Sequence, residues 1–334
     1  MSTHPRLRAL FALLAVLGLA VAFAACGGDD SGDSTSTSAE ATTGSDTSAN
    51  LIQSNPDNGS ISLTIGSKNF TEQYILGEIY AQGLEAAGYD VDTDLNLGDE
   101  QVALKALQNG DISGYPEYTS TALTSFFDTP PEDVPGDAQK AYDESKTEFA
   151  DLGLVSYPPT PFSSANAVGM LKSKADELGI TTISDLADHQ DLTLYGSPEC
   201  RQRIDCLAGL EKYYGLDGLR DNFTPVDIGL RYDVLDKGDA DLSIIFTTDA
   251  QLFTSNDYVT LEDDKHVLPA GNVIFIASQD AVDEAGPDFG TTIEKVQSNL
   301  SLEVMQELNA RVDIDKEKPA QAAEQYLQQF GYID

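Results

Sequence analysis

Apolar and polar positions alternate over residues 61–65. Ile61, Leu63 and Ile65 share one face and Ser62 and Thr64 the other, which predicts a strand. The period then changes: Leu76, Tyr80, Leu84 and Ala87 recur at three- and four-residue steps, predicting a helix that Gly88 closes. Between them lies Gly66-Ser67-Lys68-Asn69-Phe70-Thr71-Glu72-Gln73. A strand-to-helix turn with hydroxyl and amide side chains, Asn69 and Gln73 among them, leaves backbone N–H groups free to receive a carboxylate. Any such turn offers this, so the signal alone is weak. The next unit repeats the logic, with a strand over 91–97, a helix over 101–108 bearing Val102, Ala103, Ala106 and Leu107 on one face, and a short strand over 112–115. Strands alternating with helices predict an α/β fold with mostly parallel sheets flanked by helices.

A similar arrangement returns later. Leu107-Gln108-Asn109-Gly110-Asp111-Ile112 has a counterpart in Leu235-Asp236-Lys237-Gly238-Asp239-Ala240, each a helix end, a glycine cap and a short strand. The first runs into Tyr115-Pro116-Glu117-Tyr118-Thr119-Ser120-Thr121, the second into Phe246-Thr247-Thr248-Asp249. Both loops set rings beside hydroxyls at the carboxyl end of a strand, where open α/β sheets bind ligands. Two lobes facing across a cleft account for this; chance likeness between βα units is the competing explanation. The last helices, with Val304, Leu308 and Val312 and then residues 320–330, return most economically to the first lobe. Lobe 1 is expected to hold residues 61–164 and 271–334, and lobe 2 residues 165–270. Two crossings then form a hinge that opens and closes on a ligand.

Charge narrows the partners. Without the two arginines of residues 1–25, 17 basic and 56 acidic residues leave a net charge of −39. That speaks against nucleic acid and against an anionic solute drawn in by the overall field, while a cationic or zwitterionic one is compatible. Solubility alone also accounts for such a charge. Residues 1–25 read as a signal peptide: Arg6 and Arg8 precede an uncharged run over 9–25 that stops at Cys26. Ala24-Ala25-Cys26 resembles the lipobox of bacterial lipoproteins, although Phe23 replaces the usual aliphatic residue. The resemblance implies lipidation of Cys26, with an ordinary signal peptide as the alternative. Residues 26–60, rich in Gly, Ser, Thr and Asp, are expected to be a disordered tether. Cys200 and Cys206 are expected to form a disulfide outside the cytoplasm. The rival, a metal pair, has no nearby histidine, because the histidines are His4, His189 and His266.

The motif at 66–78 closely resembles the opening of the glycine betaine/choline/carnitine-binding proteins of osmoprotectant ABC importers. So do Ala103-Leu104-Lys105-Ala106-Leu107, the 115–121 segment, Gly229-Leu230-Arg231-Tyr232, Thr247-Thr248-Asp249 and Asp263-Asp264-Lys265-His266. The matches run in unbroken order from about residue 61 to the C-terminus. The resemblance implies a two-lobed periplasmic-binding-protein fold in which rings from both lobes box a quaternary ammonium group. It implies Tyr118 in the cage, Thr121 beside the ligand carboxylate, and Lys68 and Arg203 as basic contacts to it. Departures are visible too. Asn166 stands where a tyrosine is frequent, Phe246 keeps a ring but loses its hydroxyl, and Ala270 replaces a fourth ring with Asn272 close by. Asn166 and Asn272 are candidates to hydrogen-bond a smaller or more polar solute.

The reading is therefore a monomeric solute-binding lipoprotein on the outer face of the bacterial cell membrane. It delivers glycine betaine, choline or a related compatible solute to an ABC permease, with another small zwitterion such as an amino acid as the alternative ligand. A sensor presenting its closed form to a receptor is a further alternative. No cofactor and no metal are expected. Catalysis finds no support, since the chain lacks a Gly-x-Ser-x-Gly elbow and a metal-ligand cluster, and the adjacent Asp263 and Asp264 do not make a facing acid–base pair.

Overall fold

The computed structural model describes residues 50–334. The expected signal peptide, Cys26 and most of the expected tether lie outside the described residues. The chain runs through β1 (Ser62–Gly66), α1 (Thr71–Ala86), β2 (Asp90–Asp94), α2 (Glu100–Asn109) and β3 (Gly114–Tyr118). A single helical turn, α3 (Thr119–Thr121), widens into a π-helical turn over Ala122–Phe126, followed by α4 (Ala138–Asp151), β4 (Leu154–Ser156) and β5 (Ser163–Ser164). The middle of the chain supplies β6 (Asn166–Leu171), α5 (Lys172–Leu178), β7 (Leu194–Gly196), α6 (Leu207–Tyr214), α7 (Asp217–Asp221), β8 (Phe223–Pro225), α8 (Arg231–Asp236), β9 (Leu242–Phe246), α9 (Ala250–Thr254) and β10 (Tyr258–Thr260). It closes with β11 (Gly271–Ser278) and α10 (Gln279–Ala285), α11 (Pro287–Gln297), α12 (Leu302–Asp313) and α13 (Pro319–Gln329).

Two sheets result, one per lobe. The first has the order β2-β1-β3-β11-β4 with β5 also on β11; the second has the order β10-β6-β9-β7-β8. Each is mixed rather than mostly parallel. β1 pairs in parallel with β2 and β3, and β7 with β8 and β9, as the alternating pattern predicts. The antiparallel pairs come from strands that follow or precede a change of lobe: β11 against β3, β4 and β5, and β6 against β9 and β10. A strand arriving from the other lobe has no crossover helix to reverse it, so it enters in the opposite direction.

The lobe 1 core shows why α1 forms where it does. Ile75, Leu76, Ile79, Tyr80 and Leu84 are all fully buried and meet Ala322, Ala323, Tyr326 and Leu327 of α13 in one cluster. Burying each large side chain contributes about 1.5–3 kcal/mol. Helix α2 begins at Asp99, whose carboxylate accepts from the N–H groups of Gln101 and Val102, and ends at Gly110, in the left-handed region at φ 78°.

Residues 52–58, expected to belong to the tether, lie against lobe 1. Ile52 is buried and its N–H donates to the Tyr332 carbonyl, Asn55 donates to Asp288, and buried Asn58 donates to the Ala87 carbonyl. One apolar side chain and two amides give this polar stretch enough partners to lie against lobe 1. Between the lobes, the two crossing segments pair side by side, Ser163 with Asn272 and Ser164 with Gly271. Gly271 has no room for a side chain: an added Cβ would lie 2.3 Å from the Ser120 hydroxyl and 2.5 Å from its nitrogen. The paired crossings therefore lie directly against the β3–α3 junction that carries Tyr118 and Thr121.

Candidate functional site

The lobe 1 wall of the cleft grows from β1, β3 and the helix starts beside them. After Gly66, the Ser67 hydroxyl accepts from the Asn96 N–H and so fastens the turn to the segment after β2. Lys68 follows, 4% exposed, with its N–H donating to the Gln73 side-chain carbonyl. Its ammonium donates to Glu117, which is fully buried and also accepts from the Tyr118 N–H at 2.8 Å and the Tyr115 hydroxyl at 3.0 Å. A buried carboxylate with three donors is stable where a lone one would not be. The same ammonium lies 4.6 Å from the centre of the Tyr118 ring and 5.9 Å from that of Phe70. The Tyr118 hydroxyl donates to Glu72 at 2.7 Å. Burial, with the Glu72 charge beside it, pushes this phenol well above its ordinary pKa, so it stays a donor.

The lobe 2 wall is built from a disulfide-closed loop and from the paired ends of β6 and β9. Cys200 and Cys206 are joined in a disulfide, and the segment between them carries Arg203 and Asp205. This loop lies tight on α6: an added Cβ on Gly209 would come within 1.8 Å of the Ile204 carbonyl oxygen. Arg203 forks onto Asp205, with Nε to Oδ1 at 2.8 Å and a terminal nitrogen to Oδ2 at 2.5 Å. Its other terminal nitrogen reaches across the cleft to Glu100 at 3.0 Å, while the nitrogen that meets Asp205 also donates to the Thr121 hydroxyl at 3.4 Å. Burial works against the Arg203 charge, but Asp205 and Glu100 more than offset it and hold the guanidinium above its ordinary pKa.

Asn166 and Phe246 face each other in register on β6 and β9. Asn166 donates to the Asp205 carbonyl at 2.9 Å, tying β6 to the disulfide loop. Asp249 closes the turn after β9 by accepting from the Phe246 N–H at 2.8 Å, from the Tyr232 hydroxyl at 3.0 Å and from both Nε and a terminal nitrogen of Arg231. Arg231 in turn stacks its guanidinium 4.5 Å from the centre of the Phe246 ring. Two of the segments that carried the resemblance, 229–232 and 247–249, thus meet in space.

The walls enclose a cavity of about 70 Å³ lined by Lys68, Asn69, Phe70, Tyr118, Thr121, Asn166, Arg203 and Phe246, among others. A water needs roughly 10–15 Å³ on this measure, so the space suits a compact solute. Three rings converge: Phe70 lies 6.2 Å from Tyr118 and 5.0 Å from Phe246. Phe70 was not among the expected ring positions, although it stands inside the 66–78 motif. Arg231, Glu100, Asp205 and Glu117 were likewise not expected at the site.

Two expected residues are elsewhere. Gln73 is fully buried behind the turn, where its carbonyl serves the Lys68 N–H. Asn272 turns toward the crossing segments and donates to the carbonyls of Thr160 and Phe162, both at 2.9 Å. Arg203 lines the cleft, but its two-pronged face is filled by Asp205. Among the described residues, no group of three or more His, Cys, Asp or Glu is placed to hold a metal, and no helix is long and apolar enough to cross a membrane.

Residues 61–329 match the family described as the substrate binding domain of ABC-type glycine betaine transport system. A glycine-betaine-binding protein of Pseudomonas aeruginosa is 33% identical, the match covering 81% of this chain and 89% of that one. An ergothioneine transport permease/ergothioneine binding protein of Helicobacter pylori is 29% identical, over 80% of this chain and 48% of that one. A crystal structure described as a glycine betaine/carnitine/choline ABC transporter superposes with a TM-score of 0.63 at 27% identity, covering 81% of this chain and 100% of the other. With two lobes closed on a small ring-lined cleft and a match along nearly all of the described residues, the chain belongs to the family of substrate-binding domains of ABC-type glycine betaine transport systems.

Proposed function

We propose that this protein captures a small quaternary ammonium solute, glycine betaine or choline, in the cleft between its lobes and hands it to an ABC permease. The observation that carries the reading is the meeting of Phe70 and Tyr118 from lobe 1 with Phe246 from lobe 2 around one compact cavity. A cation held against such rings gains about 0.5–2 kcal/mol from each, depending on how dry the site is. The lining charges agree: Lys68, Arg203 and Arg231 are outnumbered by Asp99, Glu100, Glu199 and Asp205. Such a cleft disfavours an anion and accepts a cation or a zwitterion.

The rest of the reading is carried by the sequence. Cys26 anchors the protein by lipid outside the cell membrane, residues 1–25 are removed, and the protein works as a monomer. Residues 61–164 and 271–334 make lobe 1 and 165–270 make lobe 2, moving about the paired crossings.

One observation favours a second ligand class. Lys68 sits over Tyr118 and, farther off, over Phe70, and Arg231 sits over Phe246, so the protein's own cations already face all three rings. A zwitterion with a primary ammonium, such as an amino acid, that meets the rings edge-on fits that arrangement. A thermal-shift panel separates the two. A solute at 100 times its dissociation constant adds about 2.7 kcal/mol of stability. Shifts with glycine betaine or choline support the first reading; shifts confined to amino acids replace it with the second.

A further inference from the structure

Asn309 of α12 belongs to lobe 1, is 3% exposed, and is not among the residues lining the cavity. Its amide nitrogen donates twice, to Glu72 at 2.9 Å and to the Thr248 carbonyl of lobe 2 at 3.0 Å. Each acceptor leads to a ring. On one side Glu72 also accepts from the Tyr118 hydroxyl. On the other, Thr248 precedes Asp249, which fixes the Phe246 N–H and the Arg231 that covers the Phe246 ring. The Thr248 hydroxyl meets that of Ser164 at 3.0 Å, on the crossing segment itself. Glu72 is deeply buried, and burial pushes its pKa up, so the donors around it, the Tyr118 hydroxyl and the Asn309 amide among them, matter to it. The Asn309 side-chain oxygen is buried with no hydrogen-bond partner. An apolar residue would avoid that penalty, so the two donated bonds are what the asparagine provides here.

We propose that Asn309 is a positioning residue for ligand binding, which sets the Tyr118 ring of one lobe and the Phe246 turn of the other in register without touching the solute. The inference rests on the cleft being the ligand site, and not on which solute fills it.

The test has a part that needs no ligand. Hydrogen exchange of the ligand-free protein is compared between wild type and Asn309→Ala at residues 118–121 and 246–249. Exchange about tenfold faster at both segments is expected; an increase at only one, or at neither, overturns the proposal. Should the alanine variant fail to fold, Asn309→Ser provides the same contrast. Calorimetric titration with glycine betaine and choline follows. About tenfold weaker binding is expected, through faster release. Because part of the effect passes through Glu72 to the Tyr118 hydroxyl, Asn309→Ala combined with Tyr118→Phe should weaken binding by less than the product of the two single effects. Unchanged affinity, or strictly multiplicative losses, contradicts the proposal. If wild type binds neither solute, the ligand reading falls, and the exchange comparison still decides the coupling.

Discussion

The two walls of the cleft are held by different physics. The lobe 1 residues sit on or beside regular elements: every residue of β3 is buried, and Lys68, Glu117 and Tyr118 are clamped between that strand and the start of α1. The lobe 2 residues sit on a disulfide-closed loop, at the ends of β6 and β9 and on the turn after β9, and much of their geometry comes from charge: Asp205 orients Arg203, and Asp249 orients Arg231 and through it Phe246. Lobe 1 therefore presents a wall set by a buried strand with one buried ion pair built into it, and lobe 2 a wall that rests mainly on ion pairs. The second kind should be the more easily dismantled without unfolding the whole chain.

Removing Asp249 is the severest test. Asp249→Ala leaves a buried guanidinium, the Tyr232 hydroxyl and the Phe246 N–H without their acceptor. Breaking such a pair costs about 3–5 kcal/mol. Denaturant titration should show the loss, and solute binding should disappear. A loss below about 1 kcal/mol would mean that packing holds this wall too. On the lobe 1 side, Glu117→Gln keeps the shape but sets a neutral amide beside the buried Lys68 ammonium. A loss of about 1–3 kcal/mol is expected. Here the strand should keep Tyr118 in place, so the ring contacts of a bound solute, followed by NMR, should survive in Glu117→Gln and not in Asp249→Ala.

How much of this was legible depends on distance along the chain. Lys68, Asn69, Tyr118 and Thr121 stand in contiguous motifs whose strand-to-helix context is visible in the hydrophobic period, and all four line the cleft. Phe70 stands in the same motif, yet its meeting with Phe246 depends on how two lobes close, which no local period records. The acids behind the basic residues were hidden for the same reason. In so acidic a chain Glu117 and Asp205 look like any others, and only burial distinguishes them. Asn272 shows the opposite failure. Its place near a crossing drew it into the expected site, while its side chain faces the backbone carbonyls of the hinge. The mixed sheets have a similar origin, because strand direction after a change of lobe is set by the topology and not by residue pattern.

A gentler probe of the lobe 2 wall is reduction of the disulfide, or Cys200→Ser with Cys206→Ser. Closing so short a loop is worth about 2 kcal/mol. The melting temperature should fall modestly, and affinity should fall with it because Arg203 and Asp205 lose their frame. Unchanged affinity with lowered stability would show that the ion pairs alone hold the loop. The smallest expected effect is in acid. Asp185 accepts from the N–H groups of Thr181 and Thr182, and these bonds hold its pKa at about 2, below the ordinary 3.8. A depressed carboxylate adds stability that is fully present above the ordinary value and is lost as pH falls toward about 2. Asp185→Asn should flatten that part of the acid melting curve and leave solute binding at neutral pH unchanged.

The central claim is that rings from both lobes capture a quaternary ammonium solute in this cleft. Calorimetric titration of glycine betaine and choline into wild type and Tyr118→Ala tests it most directly. The account predicts saturable binding of at least one solute to the wild type at one site per chain, with most of that affinity gone in a variant that remains folded. Equal affinity in the two proteins, or no binding of either solute to the wild type, would contradict it.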